Sequence, residues 1–253
     1  MKTSLLLSCL ALVTLVIQSC GTGTTNTPNN LPVASASEPQ EYASLLKKYV
    51  TPDGVRYESL AQNSTDIAKL NKVTDYYAKN TAPTDEEAGL AWYLNAYNAW
   101  TLQKIMENWP NEGPLDVSLL FFHRKSIEVS GQRISFVHLE NKIIRQKFKE
   151  PRLHFALNCA SASCPPLHTK PFTAATLDST LQRLTLSFIN KNPYALEIKG
   201  DEVHLSKIFD WYKEDFGGSN QLVNYINQYR TQKIPADKKV KFLSYNWKLN
   251  ITK

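Results

Sequence analysis

One stretch of the chain concentrates the side chains that do chemistry: His154-Phe-Ala-Leu-Asn158-Cys159-Ala-Ser-Ala-Ser-Cys164-Pro165-Pro166-Leu-His168. Two thiols, two imidazoles and an amide fall within fifteen positions. A cysteine delivered to a loop of small residues suits an exposed nucleophile, and backbone N–H groups of such a loop can approach an oxyanion. The thiol needs a nearby base or a positive field to ionise near neutral pH. Cys159 is the better candidate. Cys164 precedes Pro165, which biases it toward extended backbone and away from a helix N-terminus. His154 is the nearest base. On a regular strand positions 154 and 159 would face opposite ways, so a turn at Asn158 is needed to bring them together.

The same loop admits two other readings. His154, Cys159, Cys164 and His168 are zinc-type ligands, but C-x4-C without a second clustered pair is a weak signature, and no metal is expected. A Cys159–Cys164 disulfide would staple the loop and silence the nucleophile, leaving a non-catalytic binding or structural domain.

The elements that must position this loop follow from apolar spacing. Tyr42, Leu45, Leu46 and Tyr49 predict one helix, and Ile67, Leu70, Val73 and Tyr77 a second over Asp66 to Lys79. Thr84 and Glu87 read as a capping box opening a long helix to Trp109. Its middle is apolar nearly all round, as for a central buried helix. Asn95 and Asn98 lie on one face there and need partners, either by ordering a loop or by lining the site. A hairpin is expected around Gly131, and a helix over Val137 to Phe148 carrying Glu140 and Arg145, which read as an ion pair or as site residues. A buried strand is expected over Leu153 to Asn158. Further expectations are a helix over Ala174 to Asn190, a hairpin at Gly200-Asp201, a helix capped by Ser206, a helix over Asn220 to Tyr229, and a final strand over Val240 to Tyr245. Together they predict one α+β domain, mostly helical, around a small β-sheet.

Composition narrows the class. The chain has 253 residues, 42% of them hydrophobic, with four cysteines, nine glycines and thirteen prolines. That excludes a disulfide scaffold, a collagen-like chain and wholesale disorder. A formal charge of +6 is too mild to argue for nucleic acid, and the lysines from Lys233 to Lys241 read as a solvated face. No glycine-rich phosphate loop, serine-hydrolase elbow or H-E-x-x-H occurs, and no cofactor is called for.

The N-terminus reads as a targeting segment, a short apolar run behind Lys2. Its end, Val16-Ile17-Gln18-Ser19-Cys20-Gly21, resembles a bacterial lipobox, which implies cleavage before Cys20 and lipidation of that residue. Residues 1–19 are then a signal peptide. Residues 20–40, rich in Thr, Asn, Ser and Pro, are a flexible tether, and 41–253 the folded domain. A lipid anchor implies the bilayer as partner and a place on the bacterial cell envelope, facing the periplasm.

The cysteine loop, with Trp92-Tyr-Leu-Asn95-Ala-Tyr97-Asn98-Ala and Ile208-Phe-Asp-Trp211-Tyr212, resembles the DUF547 family. Lys48-Tyr49-Val50, Asp53-Gly54-Val55-Arg-Tyr57 and the closing Tyr245-Asn-Trp247-Lys-Leu-Asn250 fit it too, so the resemblance runs from about Tyr42 to Asn250. It implies a papain-like or thiol-hydrolase domain with Cys159 as nucleophile, since the second cysteine is the more replaceable of the two. His154 matches a family position, and Glu140 lies in a helix similar to the family's Ile-Glu-His segment, suited to orienting an imidazole. Asn141 stands where the family commonly has His. If that His is the base, this chain must use His138 or His154. The expected activity is cysteine-dependent hydrolysis or acyl transfer on an unidentified envelope substrate.

Overall fold

The computed structural model describes residues 40–252. The N-terminal signal, Cys20 and nearly all of the tether lie outside the described residues. Helix α1 (Gln40–Tyr49) buries the four residues expected of it, Tyr42, Leu45, Leu46 and Tyr49. A two-strand ribbon, β1 (Val50–Thr51) and β2 (Gly54–Val55), turns through Pro52-Asp53 into the short helix α2 (Tyr57–Ala61). Helix α3 (Ser64–Lys79) starts at Asn63, whose side chain accepts from the Asp66 amide, and buries Leu70, Val73 and Tyr77. Helix α4 (Glu86–Glu107) is buried along most of its length. Its cap is Asp85, accepting from Ala88 N, rather than Thr84, and Asn108 ends it before Trp109.

Helix α5 (Pro114–Val117) leads through an irregular segment to the hairpin β3 (Ile127–Val129) and β4 (Gln132–Ile134). The next stretch is not the single regular helix expected. A turn of α6 (Phe136–His138) widens into a π-helical turn over Leu139–Ile144 and tightens again into α7 (Arg145–Phe148). The extra residue in that turn aims Glu140 inward, where it is buried; such π-turns recur at functional sites. The strand expected over Leu153 to Asn158 is instead a 3-10 turn, Pro151–Phe155. Pro151 occupies its first position and the Glu150 carboxylate accepts from Arg152 N, so the local chemistry favours a helical turn.

The last third forms a second layer. Helix α8 (Leu177–Lys191) is followed by β5 (Leu196–Lys199), which turns at Gly200 into antiparallel β6 (Glu202–Leu205). Ser206 caps α9 (Lys207–Trp211), a 3-10 turn Lys213–Phe216 closes at Gly217, and α10 (Leu222–Tyr229) follows. Strand β7 (Lys239–Phe242) then pairs parallel to β6. The fold is α+β and mostly helical. Among the described residues the strands make three small sheets instead of one: two two-stranded ribbons and the β5–β6–β7 sheet.

Two apolar cores result. One gathers α1, α3, α4 and the β3–β4 hairpin; the other gathers the end of α8, the three-stranded sheet, α9 and α10. The 3-10 turn bridges them, with Leu153 in the first core and Phe155 in the second. The cysteine loop therefore emerges at their seam. No helix among the described residues is long and apolar enough to cross a membrane.

Candidate functional site

Buried amides build the floor of the site. Asn95 Nδ2 donates to Phe172 O at 2.9 Å and its Oδ1 accepts from Phe172 N at 2.8 Å. Asn98 does the same to the next stretch, donating to Ala156 O at 2.9 Å and accepting from Asn158 N at 2.8 Å. Asn158 then donates to Pro165 O and accepts from Ala160 N, pinning both ends of the loop. Each amide thus has donor and acceptor engaged with backbone, so of the two roles open to them these asparagines order the loop. Ala160 is held in the left-handed region at φ 63°, which turns the chain sharply behind Cys159.

The far wall comes from residues 245–250, an extended segment that follows β7. Ala162 N donates to Lys248 O, Ser163 N to Asn246 O, and Asn250 N to Ala160 O. On its other side Val55 N donates to Asn250 O and Leu249 N to Glu112 O. Two glycines make room: a Cβ on Gly113 would lie 2.2 Å from Trp247 O, and one on Gly54 2.4 Å from Asn250 O. These bonds occupy the loop amides of Ala160, Ala162 and Ser163, and Cys159 N donates to Cys164 Sγ at 2.9 Å. The Ser161 amide is turned to the Cys159 sulfur instead, beside two hydroxyls.

Those hydroxyls stand at the thiol. Ser161 Oγ is 3.0 Å and Tyr245 Oη 3.2 Å from Cys159 Sγ. Both cysteines are free, Cys159 half-buried and Cys164 buried, so the bridged arrangement is not the one present. Burial pushes the Cys159 thiol up, but hydrogen bonds from the Cys164, Ser161 and Tyr245 side chains outweigh it and bring the pKa down to about 7. Burial and the adjoining thiol of Cys159 raise Cys164 well above the ordinary thiol value. Tyr245 is raised likewise, by burial and then by the two thiols, and remains a proton donor.

His154 lines the same cavity but is not bonded to the thiol. Its Nε2 lies 2.7 Å from Asp215 Oδ2, while Nδ1 is 3.8 Å from Glu140 Oε1, so Asp215 makes the orienting bond that was expected of Glu140. The ring stacks on Tyr212 at 4.1 Å. Asp215 also takes a bidentate pair from Arg145, at 2.6 and 2.8 Å, and Arg145 donates a third bond to Asn141. Desolvation works against ionisation of Asp215, but the bonds from His154 and Arg145 prevail and hold it well below the usual carboxylate range. The ionised Asp215 fixes the proton on Nε2 and leaves Nδ1 as the basic nitrogen. Glu140, hydrogen-bonded with Tyr212, is raised from its ordinary value by burial. Asn141 is thus engaged by Arg145, and His138 is exposed and lines no part of the cavity.

Cys159, Cys164, His154 and Glu140 all line one cavity of about 290 Å³. Its other walls are largely aromatic: Tyr97, Phe122, Trp211, Tyr212, Tyr245 and Trp247. His168 lies elsewhere, in a cavity lined by Arg183 and Lys191, and desolvation with the charges of Arg183 and Lys170 lowers it to about 4. Among the described residues no group of three or more His, Cys, Asp and Glu side chains is placed to hold a metal ion.

Residue-level reading from sequence missed Asp215, Ser161 and Tyr245 as site residues. Tyr245 lies in one of the motifs quoted above, and Ser161 in the loop itself, but Asp215 is 61 positions from its imidazole and carries no local signal.

No curated protein and no solved structure matches the chain. A family model, DUF547, described as a protein of unknown function, matches residues 81–189. That segment holds α4 with Asn95 and Asn98, Glu140, His154 and the whole cysteine loop, while Asp215 and Tyr245 lie beyond it. That match supports the resemblance to the DUF547 family over residues 81–189.

Proposed function

We propose that this domain is a cysteine-dependent hydrolase or acyl-transfer enzyme. The observation that carries the reading is a thiol with three side-chain hydrogen-bond partners, open to a cavity that also holds a carboxylate-oriented imidazole. Because Cys164, Ser161 and Tyr245 stabilise the thiolate, Cys159 needs no contact with a base to ionise near neutral pH. The thiolate attacks an acyl carbon, and the developing oxyanion takes hydrogen bonds from the Ser161 and Tyr245 hydroxyls. Solvent protonates the leaving group, and His154, held by Asp215 with Nδ1 free, then takes a proton from the water that releases the acyl group and returns it to solvent. Esters, thioesters and amides of uncharged acyl groups fit the aromatic walls.

The test is acylation. Full-length protein mixed with p-nitrophenyl acetate or an acyl thioester is expected to form an acyl adduct on Cys159, seen by peptide mass spectrometry, and Cys159→Ser to lose it. No adduct with either class overturns the reading. We further propose that the protein is a lipoprotein, anchored through Cys20 to the bacterial envelope and facing the periplasm, after removal of the signal peptide. The lipobox Val16 to Gly21 supports this. Metabolic labelling with a tagged fatty acid is expected to mark the wild type and not Cys20→Ser; equal labelling of both refutes it.

A further inference from the structure

The loop places two thiols against one another, and acyl chemistry uses only one of them. Cys164 is buried beside Cys159, accepts the Cys159 amide proton at 2.9 Å, and its thiol is hydrogen-bonded to the Cys159 thiol. Its own amide donates to Ser161 O at 3.0 Å, so residues 159–164 curl back on themselves. Two thiols hydrogen-bonded to one another across a short loop are placed to join. Both residues line the cavity, Cys159 half-buried and Cys164 buried, so the more accessible one suits the attacking thiol and the other the resolving thiol.

We propose that Cys159 and Cys164 form a hydroperoxide-reducing pair, with an apolar organic hydroperoxide as the oxidant. The Cys159 thiolate attacks the terminal oxygen of R–O–O–H. An S–O bond forms, the O–O bond breaks, and RO⁻ leaves as the alcohol with a proton from the Tyr245 or Ser161 hydroxyl, which solvent restores. Sulfur loses two electrons and the peroxide gains them, leaving Cys159 as a sulfenic acid. Cys164 then attacks that sulfur, the S–O bond breaks, and the hydroxyl departs with the Cys164 proton as water. The sum is two thiols and a hydroperoxide giving a disulfide, an alcohol and water. A dithiol reductant returns the pair to its starting state. The aromatic walls of the cavity, with Trp211, Tyr245 and Trp247 clustered beside the thiol, favour an apolar R group over hydrogen peroxide.

This inference shares Cys159 with the acyl-transfer reading but does not depend on it. Full-length protein would be treated with one equivalent of cumene hydroperoxide or of hydrogen peroxide and mapped without reduction. Wild type is expected to lose two hydrogens and yield a Cys159–Cys164 bridge, faster with cumene hydroperoxide. Cys164→Ser is expected to stop at a sulfenic acid on Cys159 that dimedone captures, and Cys159→Ser to take up no oxygen. Circular dichroism of each variant checks that it folds. Sulfinic or sulfonic acid on Cys159 without a bridge in the wild type overturns the pair. Bridging no faster with cumene hydroperoxide overturns the assigned oxidant class. Acylation of the same sample by p-nitrophenyl acetate separates the two readings, since either chemistry can fail while the other persists.

Discussion

Replacing Tyr245 by Phe removes one hydroxyl from the Cys159 thiolate while keeping the ring that packs on Trp211 and Trp247 at 4.7 and 4.6 Å. With a pKa of about 7, half of Cys159 is thiolate at pH 7. An ordinary thiol near ~8.5 is only ~3% ionised there, a ~15-fold deficit. The more acidic thiolate is intrinsically about fivefold less nucleophilic, so the net advantage at pH 7 is only about threefold. Rate at one pH is therefore a poor reporter, and the inflection of the pH profile a good one. A hydrogen bond to a charged group is worth about 1.5–3 kcal/mol, and ~1.4 kcal/mol corresponds to one pKa unit. At 3.2 Å to sulfur the Tyr245 bond belongs at the low end. Tyr245→Phe should therefore move the inflection up by about one unit. In iodoacetamide alkylation followed from pH 5 to 10, the variant should be about threefold slower than wild type at pH 6 and about threefold faster at pH 9.5. Ser161→Ala should give the same crossing curves. Curves that stay parallel, with one variant slower at every pH, would mean that access and not ionisation limits the thiol, and the hydroxyl argument would be refuted.

Three further outcomes follow from the framework. Asn98→Ala leaves Ala156 O and Asn158 N buried without partners and should cost on the order of 3 kcal/mol in urea unfolding, while surface asparagines such as Asn224 should not register. Gly113→Ala drives a Cβ into the Trp247 carbonyl and should raise the Cys159 inflection toward that of Tyr245→Phe, read by the same alkylation, although residue 113 never touches the thiol. Asp66 is lowered by hydrogen bonds from Lys48, Lys69 and Tyr49, and Asp215 by those from His154 and Arg145 once desolvation is outweighed. Both carboxylates have depressed native values, so their contribution to stability is complete above the ordinary value of ~3.9 and is lost as pH falls below it. The melting temperature should drop between pH 5 and pH 2, and Asp66→Ala should flatten that drop; an unchanged slope would exclude this origin.

Legibility in the sequence followed locality. The faces of α1, α3 and α8 were readable because period and burial agree over several turns, and the Gly200-Asp201 hairpin because turn chemistry is local. The asparagines of α4 were recognisable as amides in need of partners, but the partners, Ala156, Asn158 and Phe172, lie 58 to 77 positions away. Leu153 to Asn158 looked like a strand because its apolar residues are consecutive. It is a turn because those residues serve two cores on opposite sides. The π-turn at Glu140 has no periodic signature at all, since it inserts a residue into an otherwise helical pattern. The hydroxyl at the thiol came from Tyr245, 86 positions on, by pairing of an irregular segment that propensity does not mark.

That pairing sets the order in which the site comes into being. Cys159 leaves the ribosome 86 residues ahead of Tyr245, and until residues 245–250 have docked between Gly54, Gly113 and the loop, one of its proton donors is missing. An emerging or half-folded chain therefore carries a thiol that ionises at higher pH. Its titration reaches the final, lower inflection only when that segment closes over the seam, so the ionisation of the nucleophile doubles as a certificate that the domain has finished folding.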